Sequence, residues 1–101
     1  MFPVTRSEQA ESDLETILAY LDERNPAAAE RLAVLIDEKC KLIGQFPQIG
    51  RARDELAPDL RSVAVESYVV FYRVTDDTIQ VLRILHGRQD INTIMREDDG
   101  G

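Results

Sequence analysis

The chain has 101 residues, of which 44% are hydrophobic and 31% are charged, and its formal net charge is −7. This length suits one domain, and the composition excludes collagens, low-complexity chains and wholly disordered polypeptides. No apolar run exceeds five residues, so the sequence predicts no membrane-spanning helix. The excess of acids disfavours general binding to a phosphate backbone.

The first quarter of the chain predicts a short strand followed by a helix. Residues 2–5 are β-prone, and Ser7 followed by an acid is typical of a helix N-cap. The next apolar residues recur on one helical face: Ala10, Leu14, Ile17, Leu18 and Leu21. We expect this helix to end near Arg24, because Asn25 and Pro26 supply a break and a new start.

A second amphipathic helix is predicted after Pro26. Its apolar stripe consists of Ala29, Leu32, Ala33, Ile36, Cys40 and Ile43. The stripe closes at Gly44, and the Phe46-Pro47 pair breaks the helix. Because only a tight link separates the two helices, we predict that they form an α-hairpin.

The second half of the chain predicts a sheet. Residues 47–58 show no clean period and are interpreted as an ordered loop. Residues 60–66, 68–75 and 78–86 are rich in Val, Ile, Tyr and Phe, and the gaps between them suit hairpins. We therefore predict an antiparallel meander whose middle strand is central, with the helical hairpin on one side.

The predicted architecture is α+β with the order β-α-α-β-β-β, a helical hairpin packed on a small, mainly antiparallel sheet. In this prediction residues 1–96 form a single domain, within which residues 90–95 add a final turn or short strand. Residues 97–101 are predicted to be a frayed acidic and glycine tail. One cysteine and no segment resembling a secretory signal predict a reducing cytoplasm.

Six segments, taken in order, carry a family resemblance over nearly the whole chain: AESDLETILAY at 10–20, NP at 25–26, FPQIGR at 46–51, LRS at 60–62, YVVFYR at 68–73 and VLRILHGRQD at 81–90. They resemble the ParE branch of the RelE/ParE superfamily of toxin–antitoxin toxins. The resemblance implies a small α+β toxin that inhibits DNA gyrase and is neutralised by an antitoxin of the ParD type.

Two other functions stay open for a chain of this kind. One is a ribosome-dependent mRNA endonuclease of the RelE type, and the other is a toxin-derived module that has lost its activity. A transcript cradle would need clustered basic residues, but Lys39 and Lys41 are the only lysines and lie beside Asp37 and Glu38. We therefore favour a non-enzymatic, gyrase-binding toxin with no direct sequence-specific binding to nucleic acid.

Three arginines are candidates for binding the target, because each lies on a different predicted strand: Arg61, Arg73 and Arg83. Side by side they would grip a phosphate or a carboxylate, whereas the structural interpretation pairs them with neighbours such as Asp59, Glu66 and Asp76. His86, the only histidine, is a further candidate. In a regular strand it shares a face with Leu82 and Ile84 and points away from Arg83, which disfavours an Arg83–His86 catalytic pair.

The segment that follows Gly87 completes the predicted target surface with Arg88, Ile91 and Ile94. A charged rim with apolar anchors suits an interface, while the alternative is that the two isoleucines close the open end of the core. Both interpretations stay open at this point.

An antitoxin surface is predicted along the helical hairpin, together with an exposed sheet edge that accepts an added strand. Ala19, Tyr20 and Val34 lie outside the apolar stripes, so one side of the sheet cannot bury every apolar residue of the hairpin. The predicted contacts are Leu14, Leu18, Leu21, Leu35 and Leu42.

No catalytic residue, cofactor or metal is predicted. One histidine and one cysteine give no metal-binding spacing, and no glycine-rich phosphate loop occurs. Cys40 fits a buried, inert thiol. Tyr20, Tyr68 and Tyr72 are interpreted as core or interface residues and not as a stacking platform for bases.

Overall fold

The computed structural model describes residues 1–100, and it describes side chains for residues 1–96. This part of the chain contains five strands and three helices. In chain order they are β1 (Val4–Arg6), α1 (Glu8–Arg24), α2 (Pro26–Gln45), β2 (Arg51–Ala52), β3 (Leu60–Val65), β4 (Tyr68–Val74), β5 (Ile79–His86) and α3 (Ile91–Gly100).

Side-chain caps define the helical hairpin. The Ser7 hydroxyl accepts a hydrogen bond from the Ala10 amide at 3.0 Å and donates to the Leu82 carbonyl at 3.0 Å. Asn25 caps α2 by accepting from the Ala28 amide at 3.2 Å, and Pro26 occupies the first turn. Proline is favoured there because its missing N–H would have no helical partner. The predicted break between the helices is confirmed.

The sheet has the order β1-β5-β4-β3-β2, with β1 parallel to β5 and the other pairs antiparallel. The predicted meander with a central β4 is confirmed. β2 was not predicted, since it lies inside the expected loop at 47–58 and pairs only with Arg61 and Ser62 of β3. A strand of two residues is too short to show a period of two.

Tyr72 anchors the loop that precedes β2. Its side chain is fully buried, and its hydroxyl donates to the Pro47 carbonyl at 2.7 Å and accepts from the Gly50 amide at 2.9 Å. Burial raises the pKa of the Tyr72 phenol. A Cβ at Gly50 would lie 2.5 Å from the same hydroxyl, so the close approach requires glycine. These contacts hold the loop in a defined conformation, which agrees with the prediction of an ordered loop at 47–58.

The two faces of the sheet carry separate apolar clusters. The hairpin packs on one face, where Leu32 and Ile36 share a cluster with Val70 of β4. Residues of the loop and of α3 cover the other face, where Phe71 and Met95 are buried. The turn or short strand expected at 90–95 is therefore wrong, because most of this segment begins a helix. The tail predicted at 97–101 lies outside the residues whose side chains are described.

Candidate partner-binding surface

An apolar surface remains uncovered on the outer side of the helical hairpin. Tyr20 and Val34 are each 55% exposed, and Leu42 is 38% exposed. The guanidinium of Arg24 lies 3.7 Å from the centre of the Tyr20 ring and covers part of it. The prediction that the hairpin cannot bury all of its apolar residues is confirmed.

The residues predicted to contact an antitoxin fall into three groups. Leu14 is buried in the core, with 9% of its surface exposed, so the structure corrects that prediction: this side chain is not presented to a partner. Leu18, Leu21 and Leu35 are partly buried against the same core. Leu42 is exposed on α2. Which residue of a stripe faces inward depends on how the two helices pack, which periodicity does not specify.

Two of the open hollows beside α2 adjoin each other. The first, of about 510 Å³, is lined by Ala27, Glu30, Arg31, Val34, Leu35 and Glu38. The second, of about 360 Å³, is lined by Leu35, Glu38, Lys39, Leu42, Ala64, Val65 and Glu66. Because Leu35 and Glu38 line both hollows, the two form one continuous surface along the helix. We call this the α2 groove.

The second hollow borders an open sheet edge. β2 pairs with only two residues of β3, so no strand of the described chain lies alongside residues 63–65 on that side. Ala64 and Val65 were not singled out in the sequence. Ala64 is exposed whereas Val65 is buried, and the open edge beside them depends on the shortness of β2, which has no signal in the local pattern.

An ion pair connects α2 to the turn between β3 and β4. The Arg31 Nε atom lies 3.2 Å from Oε2 of Glu66, and both side chains are substantially exposed. Glu66 has a φ of 55°, in the left-handed region that a two-residue hairpin turn requires. Because the pair is solvated, its contribution to stability is small.

Arg83 is held in a buried ion pair with Asp13 of α1. The arginine Nε and Nη2 atoms donate to the two carboxylate oxygens at 2.8 and 3.0 Å, and the Ile84 amide donates to Oδ2 at 3.0 Å. Only 13% and 9% of the two side chains are exposed. Arg83 is therefore a structural residue, as the alternative interpretation had it, although its partner is none of the acids expected.

A β-bulge interrupts β5 beside this ion pair. Phe71 lies opposite Arg83 and Tyr72 opposite Val81, so Leu82 is an extra residue in β5. Leu82 packs in the cluster beneath α3, whereas Ile84 packs in the hairpin cluster. The prediction that His86 shares a face with both residues is wrong, because a bulge breaks the alternation of the strand.

Arg61 and Arg73 point to opposite faces of the sheet. Residues directly opposite each other on paired strands share a face, and Arg61 lies opposite Tyr72 whereas Arg73 lies opposite Leu60. Tyr72 and Leu60 belong to the two different clusters. Arg61 donates to the Gly50 carbonyl at 2.7 Å. The expected row of three arginines is thus not formed.

His86 organises the turn that leads to α3. Its ring lies edge-on to Tyr68 with centroids 5.2 Å apart, and its Nδ1 atom accepts from the Arg88 amide at 3.0 Å. Its backbone amide donates to the Gln89 side chain at 2.7 Å. These contacts give His86 a structural role in the turn.

The other residues predicted to bind the target differ in how far they are exposed. Arg88 is exposed in the turn, while Ile91 and Ile94 are partly buried against the cluster that contains Phe71 and Met95. This packing favours the alternative that the two isoleucines close the core, and their contact with a target stays a prediction. Arg88 stays accessible.

Cys40 is free and buried, as predicted. Burial raises the pKa of its thiol, and the nearby Arg6 guanidinium opposes that shift. Arg6 is itself paired with Glu11 at 2.6 Å. Within the described chain no group of three or more His, Cys, Asp or Glu residues is placed to hold a metal ion, and no helix there is long and apolar enough to cross a membrane.

Comparison with known families places the chain. The family described as ParE toxin of the type II toxin–antitoxin system, parDE, matches residues 4–91, a span that includes the hairpin and every strand described above. The chain belongs to the ParE toxin family. The match ends at the first residue of α3.

Curated relatives of this ParE-family toxin are named ParE or RelE. Toxin ParE3 of Caulobacter vibrioides is 30% identical over 89 residues, covering 87% of this chain and 89% of the relative. Toxin RelE1 of the same organism is 31% identical over 90 residues, covering 85% of this chain and 94% of the relative. Toxin ParE1 of Mycobacterium tuberculosis is 49% identical over 47 residues, covering 46% of this chain and 48% of the relative, so the chain spans about half of that protein.

Solved structures share the fold. A chain of the chromosomal ParDE toxin–antitoxin system from P. aeruginosa matches with a TM-score of 0.73 at 26% identity, covering 85% of this chain and 96% of that one. A free-state arginine mutant of E. coli toxin RelE matches with a TM-score of 0.66 at 14% identity, covering 97% and 96%. This ParE-family toxin therefore has the RelE/ParE fold, as predicted from its sequence.

Proposed function

We propose that this chain inhibits DNA gyrase by binding it in the cytoplasm, without cleaving RNA, and that a ParD-like antitoxin neutralises it. The observation that carries the antitoxin part of the proposal is the uncovered apolar surface of the α2 groove beside an open strand edge. A monomeric protein rarely leaves such a surface uncovered unless a partner binds there. An amphipathic helix in the groove and an extended segment along residues 63–65 are the recognition modes that fit this surface.

The arrangement of the basic residues supports inhibition by binding. A ribonuclease site needs a proton donor or acceptor and a cation that converge on one phosphate. Arg83 is engaged by Asp13, Arg61 and Arg73 lie on opposite faces, and His86 is bound into a turn. These residues provide no convergent set for phosphodiester cleavage.

The target surface is proposed to include Arg88, which the turn after β5 leaves exposed. Arg61 and Arg73 belong to the proposal only as separate contacts on two faces of the sheet. The net charge of −7 favours protein over DNA as the contacted molecule.

Two assays with purified components test this function. We expect the chain to inhibit supercoiling by gyrase and to lose this effect when the antitoxin encoded beside it is added. In a parallel translation reaction we expect the mRNA to stay intact. Cleaved mRNA together with unaffected supercoiling would instead support the RelE-type endonuclease. The sequence identity of this chain to Toxin RelE1 is about the same as its identity to Toxin ParE3.

A further inference from the structure

One carboxylate lies in the middle of the α2 groove. Val34, Glu38 and Leu42 follow one another at intervals of four residues and are all exposed. Residues four apart on a helix lie on one face, a turn above each other. Glu38 therefore interrupts an apolar stripe at its centre, and it lines both hollows of the groove.

The nearby cations form no ion pair with this carboxylate. Arg31, the arginine of the first hollow, is paired with Glu66 at 3.2 Å. Lys39 lines the second hollow beside Glu38, and Lys41 lies three residues further along the helix. Among residues with described side chains, no ion pair or side-chain hydrogen bond involves Glu38.

A partner that covers the groove must compensate the charge of the Glu38 carboxylate. A partner that buries Val34 and Leu42 also removes water from the carboxylate between them, and an ionised group that loses water without gaining a counter-charge is strongly destabilising. A purely apolar segment is therefore a poor occupant, and a segment with an acid at this point is repelled. Both effects discriminate between partners.

We propose that Glu38 determines partner specificity in the α2 groove, and that the bound segment carries an arginine or lysine against it. The occupant is an antitoxin helix, so this inference rests on the proposed function and adds the chemistry of the contact. On a helix lying along α2, apolar side chains three or four residues before and after the basic residue enter the two hollows. The basic residue then lies opposite the carboxylate at the centre of the stripe.

A charge reversal with a matched control tests the proposal. The antitoxin encoded beside this chain is purified, and its binding to the full-length chain is measured by calorimetry. We expect Glu38→Lys to weaken binding about tenfold or more, with a smaller loss for Glu38→Gln. Glu15→Lys on α1 makes the same change in net charge at an exposed position outside the groove, and we expect it to change the affinity less than about twofold.

Reversing the charge of the partner completes the test. When the antitoxin's basic residue in the apolar-flanked position is changed to glutamate, we expect it to bind Glu38→Lys better than the unchanged chain, which shows direct coupling. Equal effects of Glu38→Lys and Glu15→Lys would overturn the inference, as would the absence of rescue. If Leu42→Asp abolishes binding while Glu38→Lys has no effect, the antitoxin binds in the α2 groove but Glu38 does not determine specificity. If the unchanged chain does not bind the antitoxin, both proposals fail.

Discussion

The two faces of the sheet are closed in different ways. Beneath α3, the cluster around Phe71 and Met95 is covered by the chain itself. On the hairpin side the core is also closed, but the outer surface of the helices keeps Tyr20, Val34 and Leu42 exposed. Among residues 1–96, every large apolar residue that is exposed belongs to the first 49 positions. One face of the sheet is thus covered by the chain itself, whereas the outer surface of the helices on the other side keeps apolar residues exposed.

Removal of α3 gives the largest expected effect. A chain truncated after Gly87 loses the helix that covers Phe71 and Leu85. Ile91, Ile94 and Met95 each bury apolar surface, and their combined loss is on the order of 5 kcal/mol, comparable with the whole stability of a small domain. We expect no cooperative unfolding transition in a urea titration followed by circular dichroism. A truncated chain that unfolds cooperatively would show that this face does not depend on α3.

The Asp13–Arg83 pair should give the next largest effect. Asp13→Ala removes the carboxylate that binds a guanidinium with little exposure, and we expect the free energy of unfolding to fall by about 3 kcal/mol. The double variant Asp13→Ala with Arg83→Met also removes the guanidinium and should recover part of that loss. If Arg83→Met changes the stability equally with and without Asp13→Ala in urea titrations, the two side chains are not coupled.

A substitution on the uncovered surface should weaken antitoxin binding and leave stability nearly unchanged, unlike a change in the core. Leu42→Asp changes an exposed side chain, so we expect the free energy of unfolding to stay within about 0.5 kcal/mol of the parent. Antitoxin binding should weaken about tenfold or more, because the charge lies inside a buried contact. Calorimetric titration measures the affinity. Unchanged affinity would place the antitoxin elsewhere on the molecule.

His86→Ala should have the smallest effect on toxicity. Because the contacts of His86 support the turn before α3, we expect growth inhibition to remain within a few-fold of the parent, whereas loss of a general acid or base costs about a hundredfold. Growth is measured in cells that express each variant to the same level. Abolished inhibition by a folded, antitoxin-binding variant would favour a nuclease.

Local sequence determined the hairpin and the meander. Ser7, Asn25 and Pro26 act through hydrogen bonds and backbone restrictions within a few residues, so their effect is visible in the pattern. The strands were predicted because β-rich runs alternated with short turns. The surplus of apolar residues on the helices also follows from counting, and it led correctly to an uncovered surface.

Tertiary structure decided which residues reach that surface and which charges meet. Leu14 and Leu42 have the same chemistry, yet the packing of two helices on one sheet buries the first and exposes the second. The Asp13–Arg83 pair spans 70 positions, and a bulge beside it adds one residue to β5. Such contacts arise from the register between distant segments, and a local pattern carries no information about register. For the same reason, the short β2, which leaves residues 63–65 as the open part of the sheet edge, appeared only in the folded chain.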